Sequence, residues 1–328
     1  MHSFTAPFMK TSICNNLQVL FTLLIPHMCV QRTADTMFLS QQKYICDLLI
    51  RFSMLDCKPC STPSSSQKLD NTSGEPLSDP TAYRSLVGAL QYLTWTRPEI
   101  AFLVNQVCQH MHAPRTPHLS AVKRILRYLK GTPAHGLLIR KGNLNLTAYS
   151  DEDWVSCPID RRSTTGYCIF FGQNLVSWSS KKQASVARSS TESEYRSLAH
   201  TATEIFWICS LLKEIHFYLD KHPLILCDNT SAIALAPNPI FHARTKHIEI
   251  DYHYICDLVT SNIISISHIS SQAQLADLFT KSLPKAIFTN FQSKLTAPNP
   301  QLSLRGDISH NSMVDQNDHH TQQKPENG

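Results

Sequence analysis

Apolar residues change their spacing along this sequence, and each spacing predicts a different kind of element. Between residues 81 and 131 they recur at intervals of three and four, which is typical of helices with one buried face. From about residue 142 they alternate with polar residues, which predicts strands over residues 144–151, 166–172 and 174–181. The sequence therefore indicates a helical segment followed by a sheet.

The elements expected after these strands alternate between helix and strand. In chain order they are a helix over 191–215, a strand over 223–227, helices over 231–236 and 245–261, a strand over 263–269 and a helix over 275–283. Three successive strands followed by alternating elements are typical of a mixed sheet with helices packed on it. The predicted fold class is therefore α/β, with an α+β type of mixed sheet.

The same patterns divide the chain into five segments. Residues 1–36 show no clear period, and residues 37–80 pass from a strand and helix into a loop rich in Ser, Pro, Asp and Asn. Residues 81–140 form the helical segment, and residues 141–290 form the mixed α/β domain. Residues 291–328 are rich in Gln, Asn, His and Asp without periodicity, so we expect a disordered tail.

Composition is that of a globular protein with a mildly basic charge. The chain has 328 residues, 42% of them hydrophobic, and a formal net charge of +5, which permits a nucleic-acid partner without requiring one. Its 11 cysteines are scattered, and Cys57 and Cys60 have no second pair nearby, so we expect thiols of a reduced, intracellular protein. The apolar run over residues 19–25 is too short to span a membrane, and none is expected as a partner.

Four carboxylates stand at the ends of predicted elements, where a fold can bring distant residues together. Asp151 ends the first strand of the sheet, Glu192 opens the long helix, Asp228 follows an apolar strand, and Asp277 lies in the last helix. Carboxylate oxygens are preferred ligands of Mg²⁺, and a pair of such ions can assist phosphodiester hydrolysis. Taken singly, each acid is better interpreted as a turn, cap or surface residue.

The choice of Glu192 over Glu194 rests on helix capping. Thr191 and Glu194 match a capping box, in which Thr191 is the N-cap and Glu194 bonds back to it. This interpretation gives Glu194 a structural role and leaves Glu192 for the site. Asp153 is expected either to lie in the turn after Asp151 or to support that residue indirectly.

Two further features have both an ordinary and a functional interpretation. His268 is expected to be a strand residue, although its position also suits proton transfer or product release. The third predicted helix, over residues 119–130, has a basic side that is either solvated or in contact with a phosphate backbone. That side carries Lys123, Arg124, Arg127 and Lys130.

Several ordered motifs resemble the C-terminal part of Ty1/copia-type retrotransposon Pol polyproteins, over about residues 37–283. The motifs FLSQQKY (38–44) and MLDCKPCSTP (54–63) resemble the end of the reverse transcriptase, and YRSLVGALQYL (83–93) and VKRILRYLKG (122–131) resemble the connecting segment. The motifs YSDEDW (149–154), STESEY (190–195), CDN (227–229) and LADLFTK (275–281) resemble the ribonuclease H (RNase H) domain.

This resemblance implies an RNase H-like domain after a mainly helical thumb or connection segment. It implies cleavage of the RNA strand of RNA/DNA hybrids with two Mg²⁺ ions, or Mn²⁺ as a substitute. The implied catalytic and metal-binding residues are Asp151, Glu192, Asp228 and Asp277. The implied partners are the hybrid and the reverse-transcriptase portion, and the implied location is cytoplasmic, within a virus-like particle, or nuclear.

The sequence also departs from the family pattern. The Tyr/Phe-x-Asp-Asp motif of the polymerase site does not occur, so no polymerase activity is expected. Where the family commonly has Asp-Ala-Asp, this chain has Glu152 between two aspartates. The alternative functions are a catalytically silent remnant and a hybrid-binding module without turnover. An unrelated structural protein is a third alternative, for which the acids would lie far apart.

Overall fold

The computed structural model describes residues 27–65, 69–157, 159–236 and 249–300. Its first part is a helical unit preceded by a short hairpin. The elements are β1 (Cys29–Arg32), β2 (Thr36–Ser40), α1 (Gln42–Arg51), α2 (Pro80–Leu93), α3 (Ala101–Cys108), α4 (Thr116–Gly131) and β3 (His135–Arg140). The three helices predicted between residues 81 and 131 are confirmed.

The second part contains the mixed sheet and two closing elements. In chain order they are β4 (Leu146–Asp153), β5 (Thr164–Phe171), β6 (Asn174–Lys182), α5 (Ser190–Glu214), β7 (Leu224–Cys227), α6 (Thr230–Leu235), α7 (Glu249–Thr260), β8 (Ser265–His268), α8 (Lys285–Leu295) and β9 (Ala297–Pro298). Where a helix was expected over residues 275–283, the chain forms a shorter 3-10 turn, Leu275–Phe279. Residues 245–248 of the expected 245–261 helix lie outside the described residues, and α7 begins at Glu249.

The larger sheet has five strands in the order β6-β5-β4-β7-β8. Strands β4, β5 and β6 are antiparallel neighbours, whereas β7 runs parallel to β4 and β8 runs parallel to β7. This mixed arrangement confirms the predicted fold class. Parallel neighbours end at the same edge of a sheet, so residues that follow β4 and β7 meet there.

Apolar side chains cover both faces of this sheet. Successive residues of a strand point to opposite faces, and Ile169 packs with Leu198 and Ala202 of α5, whereas Cys168 and Phe170 belong to the core shared with the helical unit. All five are buried. The sheet is therefore held between α5 on one side and the helical unit with the 3-10 turn on the other.

The chain after residue 284 returns to the helical unit. Helix α8 buries Phe288, Phe291 and Leu295 in the core of that unit, and β9 pairs with β3. The expectation of disorder from residue 291 onward is therefore wrong for residues 291–300, because apolar burial stabilises them. Residues 301–328 of the expected tail, and residues 1–26, lie outside the described residues.

The basic side of α4 has a structural partner. Arg127 Nε donates to the Lys58 carbonyl at 2.7 Å, and Lys130 Nζ donates to the Cys57 carbonyl at 2.6 Å. Arg124 Nη2 donates to Thr62 Oγ1 at 3.1 Å. These three side chains hold residues 57–62 against the helix. The expectation of a simply solvated side is therefore wrong for these three residues, whereas phosphate contact stays a prediction; Lys123, which is exposed, is not part of this contact.

Within the part of the chain that the structure describes, no helix is both long and apolar enough to cross a membrane.

Candidate metal centre

Three carboxylates from separate elements converge at one edge of the larger sheet. They are Asp151 near the end of β4, Glu194 in the second turn of α5, and Asp228 directly after β7. One ligand oxygen from each lies within 4.8 Å of the other two. Tyr149 pairs with Leu226 on the parallel strands β4 and β7, and Asp151 and Asp228 each follow two residues after these partners. The two aspartates therefore lie side by side at the same edge of the sheet.

Asp151 is the most buried member of this group, with 1% of its surface exposed. The hydroxyl of Thr280 donates to its carboxylate, and Lys281 Nζ lies 3.2 Å from Oδ2. Burial raises the pKa of Asp151 well above its ordinary value, although the charge of Lys281 acts in the opposite direction; Asp277 and Asp228 raise the pKa further.

Glu194 is nearly as buried, with 6% of its surface exposed. Burial, and then the charges of Asp151, Glu152 and Asp228, raises the pKa of Glu194 to about 10. Crowded, buried carboxylates are expensive to keep ionised unless a cation compensates their charge. Three converging carboxylate oxygens are also the donor type preferred by hard divalent ions such as Mg²⁺. The residues present therefore fit a divalent cation.

Glu192 lies outside this group, contrary to the prediction. One of its carboxylate oxygens lies 2.7 Å from Arg196 Nη2, and the other accepts from the backbone N–H of Arg188 at 2.9 Å. The N-cap of α5 is Ser189, whose side chain accepts from the Glu192 N–H, rather than Thr191. Because the helix starts two residues earlier than predicted, Glu192 stabilises its beginning, and Glu194 takes the position expected for Glu192.

Asp277 reaches the group through Lys281. It lies in the 3-10 turn, where its Oδ1 is 2.9 Å from Lys281 Nζ, and the same ammonium contacts Asp151. Of the four predicted residues, the structure thus brings Asp151, Asp228 and Asp277 to one place. An unrelated protein with widely separated acids is therefore ruled out as the third alternative.

The neighbours of the group hold its members in place. The Ser271 hydroxyl donates to Asp228 Oδ2 at 2.7 Å. Gly166 pairs with Asp151 across β4 and β5, and a Cβ at Gly166 would lie 2.6 Å from Thr280 Cγ2 and 2.8 Å from Phe279 Cβ. Glycine at this position therefore allows the 3-10 turn to approach the sheet closely enough for Thr280 to reach Asp151.

The other candidate residues lie around this edge. Glu152 is buried on the opposite face of β4 from Asp151. Burial raises the pKa of Glu152 to about 7, although hydrogen bonds from Ser193 and Ser163 lower it. Asp153 is the half-buried last residue of β4 rather than part of a following turn. His268 is exposed at the end of β8, paired with Cys227, as expected for a strand residue.

Sequence reasoning missed Glu194, Thr280 and Lys281. Thr280 and Lys281 stood in the LADLFTK motif, but no role was assigned to them. A signal for Glu194 was present, because Ser189 and Ser190 precede Thr191 and are equally good N-cap residues.

The sheet has three antiparallel strands followed by two parallel ones, and acids lie at the ends of β4 and β7 and on α5. This arrangement defines an RNase H-like fold. LC11-RNase H1 in complex with an RNA/DNA hybrid is a similar solved structure, with a TM-score of 0.33 and 11% identity; the match covers 42% of this chain and 94% of that one. No family model matches the sequence.

Relatives with much higher identity define the family. The retrovirus-related Pol polyprotein from transposon RE1 of Arabidopsis thaliana is 52% identical over 267 residues, which are 81% of this chain and 18% of the relative. An uncharacterized mitochondrial protein of the same plant is 53% identical over 172 residues, covering 52% of this chain and 72% of that protein. The chain belongs to the retrovirus-related Pol polyproteins of Ty1/copia-type transposons, and it spans 18% of the length of the RE1 polyprotein.

Proposed function

We propose that this chain is an RNase H-type endonuclease that cleaves the RNA strand of RNA/DNA hybrids with divalent ions, Mg²⁺ or in its place Mn²⁺. The observation that carries the proposal is the convergence of Asp151, Glu194 and Asp228 within 4.8 Å at the sheet edge. Asp277 joins them from the 3-10 turn. The resemblance to the RNase H segment of Ty1/copia-type Pol polyproteins implies a hybrid substrate.

The residues of the site divide the work between binding and orientation. Asp151, Glu194 and Asp228 would hold the cation, which when bound polarises the phosphodiester and lowers the pKa of an attacking water. Thr280 fixes the orientation of the Asp151 carboxylate, and Ser271 fixes that of Asp228. Because these two ligands are already hydrogen-bonded, little reorganisation is needed when a substrate phosphate approaches.

Lys181 is the best candidate for contact with the nucleic-acid backbone. It is exposed on β6, and it belongs to the row of the sheet formed by Glu152, Thr165 and Lys181. Two strand spacings, about 10 Å, separate Lys181 from β4 on this row. Its side chain points to the face of Glu152, opposite to that of Asp151, so we expect its exposed ammonium to contact the nucleic-acid backbone beside the site rather than the phosphate next to the one that is cleaved.

Lys182, the next residue on β6, has protein partners. Its ammonium lies 2.9 Å from Asp160 Oδ1, and it also contacts Gln109 and Cys157. A lysine that is held in this way is poorly placed to bind a phosphate. Lys182 is therefore left out of the proposed substrate surface.

A cleavage assay with paired glutamate variants tests the proposal. The substrate is an RNA/DNA hybrid with labelled RNA in Mg²⁺, and the variants are Asp151→Asn, Glu194→Gln and Glu192→Gln. We expect the first two to lose at least about a hundredfold in rate, the scale of a lost catalytic electrostatic contact. Glu192→Gln, the matched control, should keep most of the activity.

The outcomes separate the functions. Cleavage by the wild type that Glu194→Gln leaves intact would contradict the assigned centre. Binding of the hybrid without cleavage in either Mg²⁺ or Mn²⁺ would instead identify a hybrid-binding module. A protein that neither binds nor cleaves the hybrid would be identified as a silent remnant.

A further inference from the structure

Lys281 lies between two carboxylates that come from different elements. Its Nζ is 2.9 Å from Asp277 Oδ1 in the 3-10 turn, and it is 3.2 Å from Oδ2 and 3.3 Å from Oδ1 of Asp151 in β4. Asp151 therefore takes part in two groupings. One is the triad with Glu194 and Asp228, and the other is the pair with Asp277.

We propose that Lys281 is a resident cation that competes with a divalent ion for the Asp151–Asp277 pair. The inference rests on the proposed metal role of the Asp151 group. It assigns the two groupings different behaviour: the triad accepts a divalent ion directly, whereas the pair accepts one only when the Lys281 ammonium moves away.

The burial of the three side chains decides which of them can move. The Asp151 side chain is 1% exposed and that of Asp277 is 14% exposed, whereas that of Lys281 is 36% exposed. Lysine also carries its charge on a flexible four-carbon stem. The ammonium can therefore swing into solvent while the two carboxylates stay in place.

Thr280 allows this movement without loss of the site. Its hydroxyl bonds to Asp151 independently of the ammonium. The Asp151 carboxylate thus keeps one fixed hydrogen bond when Lys281 leaves. The displaced charge is replaced by that of the divalent ion, so the buried Asp151 and the partly buried Asp277 are not left uncompensated.

Metal binding by the full chain, measured without substrate, tests the inference. Mn²⁺ titrations followed by calorimetry and by electron paramagnetic resonance give both stoichiometry and affinity. For the wild type we expect one tighter and one weaker ion. Lys281→Met keeps the length of the side chain and removes its charge, so the weaker ion should bind at least about tenfold more tightly, since its competitor for a partly buried pair is gone.

Two variants serve as controls. Lys281→Arg keeps a positive charge, and we expect the weaker ion to bind as it does in the wild type. Lys285→Met removes an exposed lysine four residues further along the chain, and both affinities should stay unchanged. An unchanged weaker ion in Lys281→Met would overturn the inference, as would equal tightening in Lys285→Met.

Wild-type protein supplies a second test in case Lys281→Met does not fold. In crystals soaked at rising Mn²⁺ concentration, anomalous scattering should appear first among Asp151, Glu194 and Asp228. A later peak beside Asp277 should coincide with movement of Lys281. A peak beside Asp277 with the ammonium still in contact would overturn the inference. Absence of cleavage by a protein that shows the expected metal binding would count against the proposed function alone.

Discussion

Glu192 and Glu194 lie two residues apart on α5 and have entirely different surroundings. Glu192 is paired with Arg196 and bonded to the backbone of Arg188, whereas Glu194 is buried within 4.8 Å of Asp151 and Asp228. A residue offset of two places side chains on different sides of a helix. One helix start therefore supplies both a stabilising carboxylate and a candidate ligand.

Glu194 should make the stability of the protein depend on pH when no divalent ion is bound. Its pKa of about 10 in the folded state lies above that of an ordinary carboxyl, so the unfolded chain loses this proton first as the pH rises. The free energy of unfolding should therefore fall between about pH 5 and pH 10, by up to about 1.4 kcal/mol per pH unit.

Denaturant unfolding in the presence of a chelator, at about pH 6 and about pH 8, measures this effect. Glu194→Gln cannot ionise, and its stability should fall less between the two pH values than that of the wild type. Glu192→Gln, altered at a glutamate that is ion-paired outside the site, should keep the wild-type difference. If Glu194→Gln and the wild type showed the same pH dependence of stability, Glu194 would not be its cause.

Gly166→Ala should loosen the 3-10 turn from the sheet. The added Cβ would lie 2.6 Å from Thr280 Cγ2, so the turn must shift and the hydrogen bond from Thr280 to Asp151 lengthens. We expect a loss of about 1–3 kcal/mol in the free energy of unfolding, typical of an overpacked contact. Mn²⁺ affinity at the triad should fall as well.

Gly88→Ala is the matched control for this substitution. Gly88 lies within α2, and a Cβ there would meet no atom within 4 Å. Alanine favours the helix, so this variant should be more stable by roughly 0.5–1 kcal/mol and should bind Mn²⁺ normally. Equal stability of Gly166→Ala and the wild type would mean that the turn has room to give way.

Arg127→Ala and Lys181→Ala should separate structural from substrate-binding basic residues. Arg127 holds the segment 57–62 through the Lys58 carbonyl, so its loss should speed proteolysis of that segment and leave hybrid affinity unchanged. Lys181 is exposed, so its loss should weaken hybrid binding and reduce the salt slope of log K by about one. Fluorescence anisotropy over a salt series measures both affinities. The opposite pattern would move the substrate surface onto α4.

The sequence was sufficient for the parts of the site that depend on strand ends. Asp151 and Asp228 follow recognisable strands, and parallel strands bring their ends together. Glu194 depends on which of three successive residues caps α5, and local pattern does not distinguish Ser189, Ser190 and Thr191. The contacts of Lys281 and Thr280 with Asp151 span about 130 positions, and they depend on how the 3-10 turn packs on the sheet.

The sequence of α8 contains a helical pattern that the prediction of a disordered tail did not take into account. Phe288, Phe291 and Leu295 recur at helical spacing, which predicts an amphipathic helix over residues that were assigned partly to a tail. The polar composition after residue 300 outweighed that pattern. Composition averaged over a long window hides a short apolar stripe, whereas the stripe itself determines burial.

The pairing of β9 with β3 makes the helical unit discontinuous in sequence. Residues 29–140 and 285–298 build one unit, and the RNase H-like domain is an insertion between them. During synthesis, the helical unit can be completed only after the inserted domain has left the ribosome. A shortened protein that stops at residue 284 keeps every candidate ligand yet leaves the core around Tyr128 exposed, because Phe288, its edge-on ring partner, is lost.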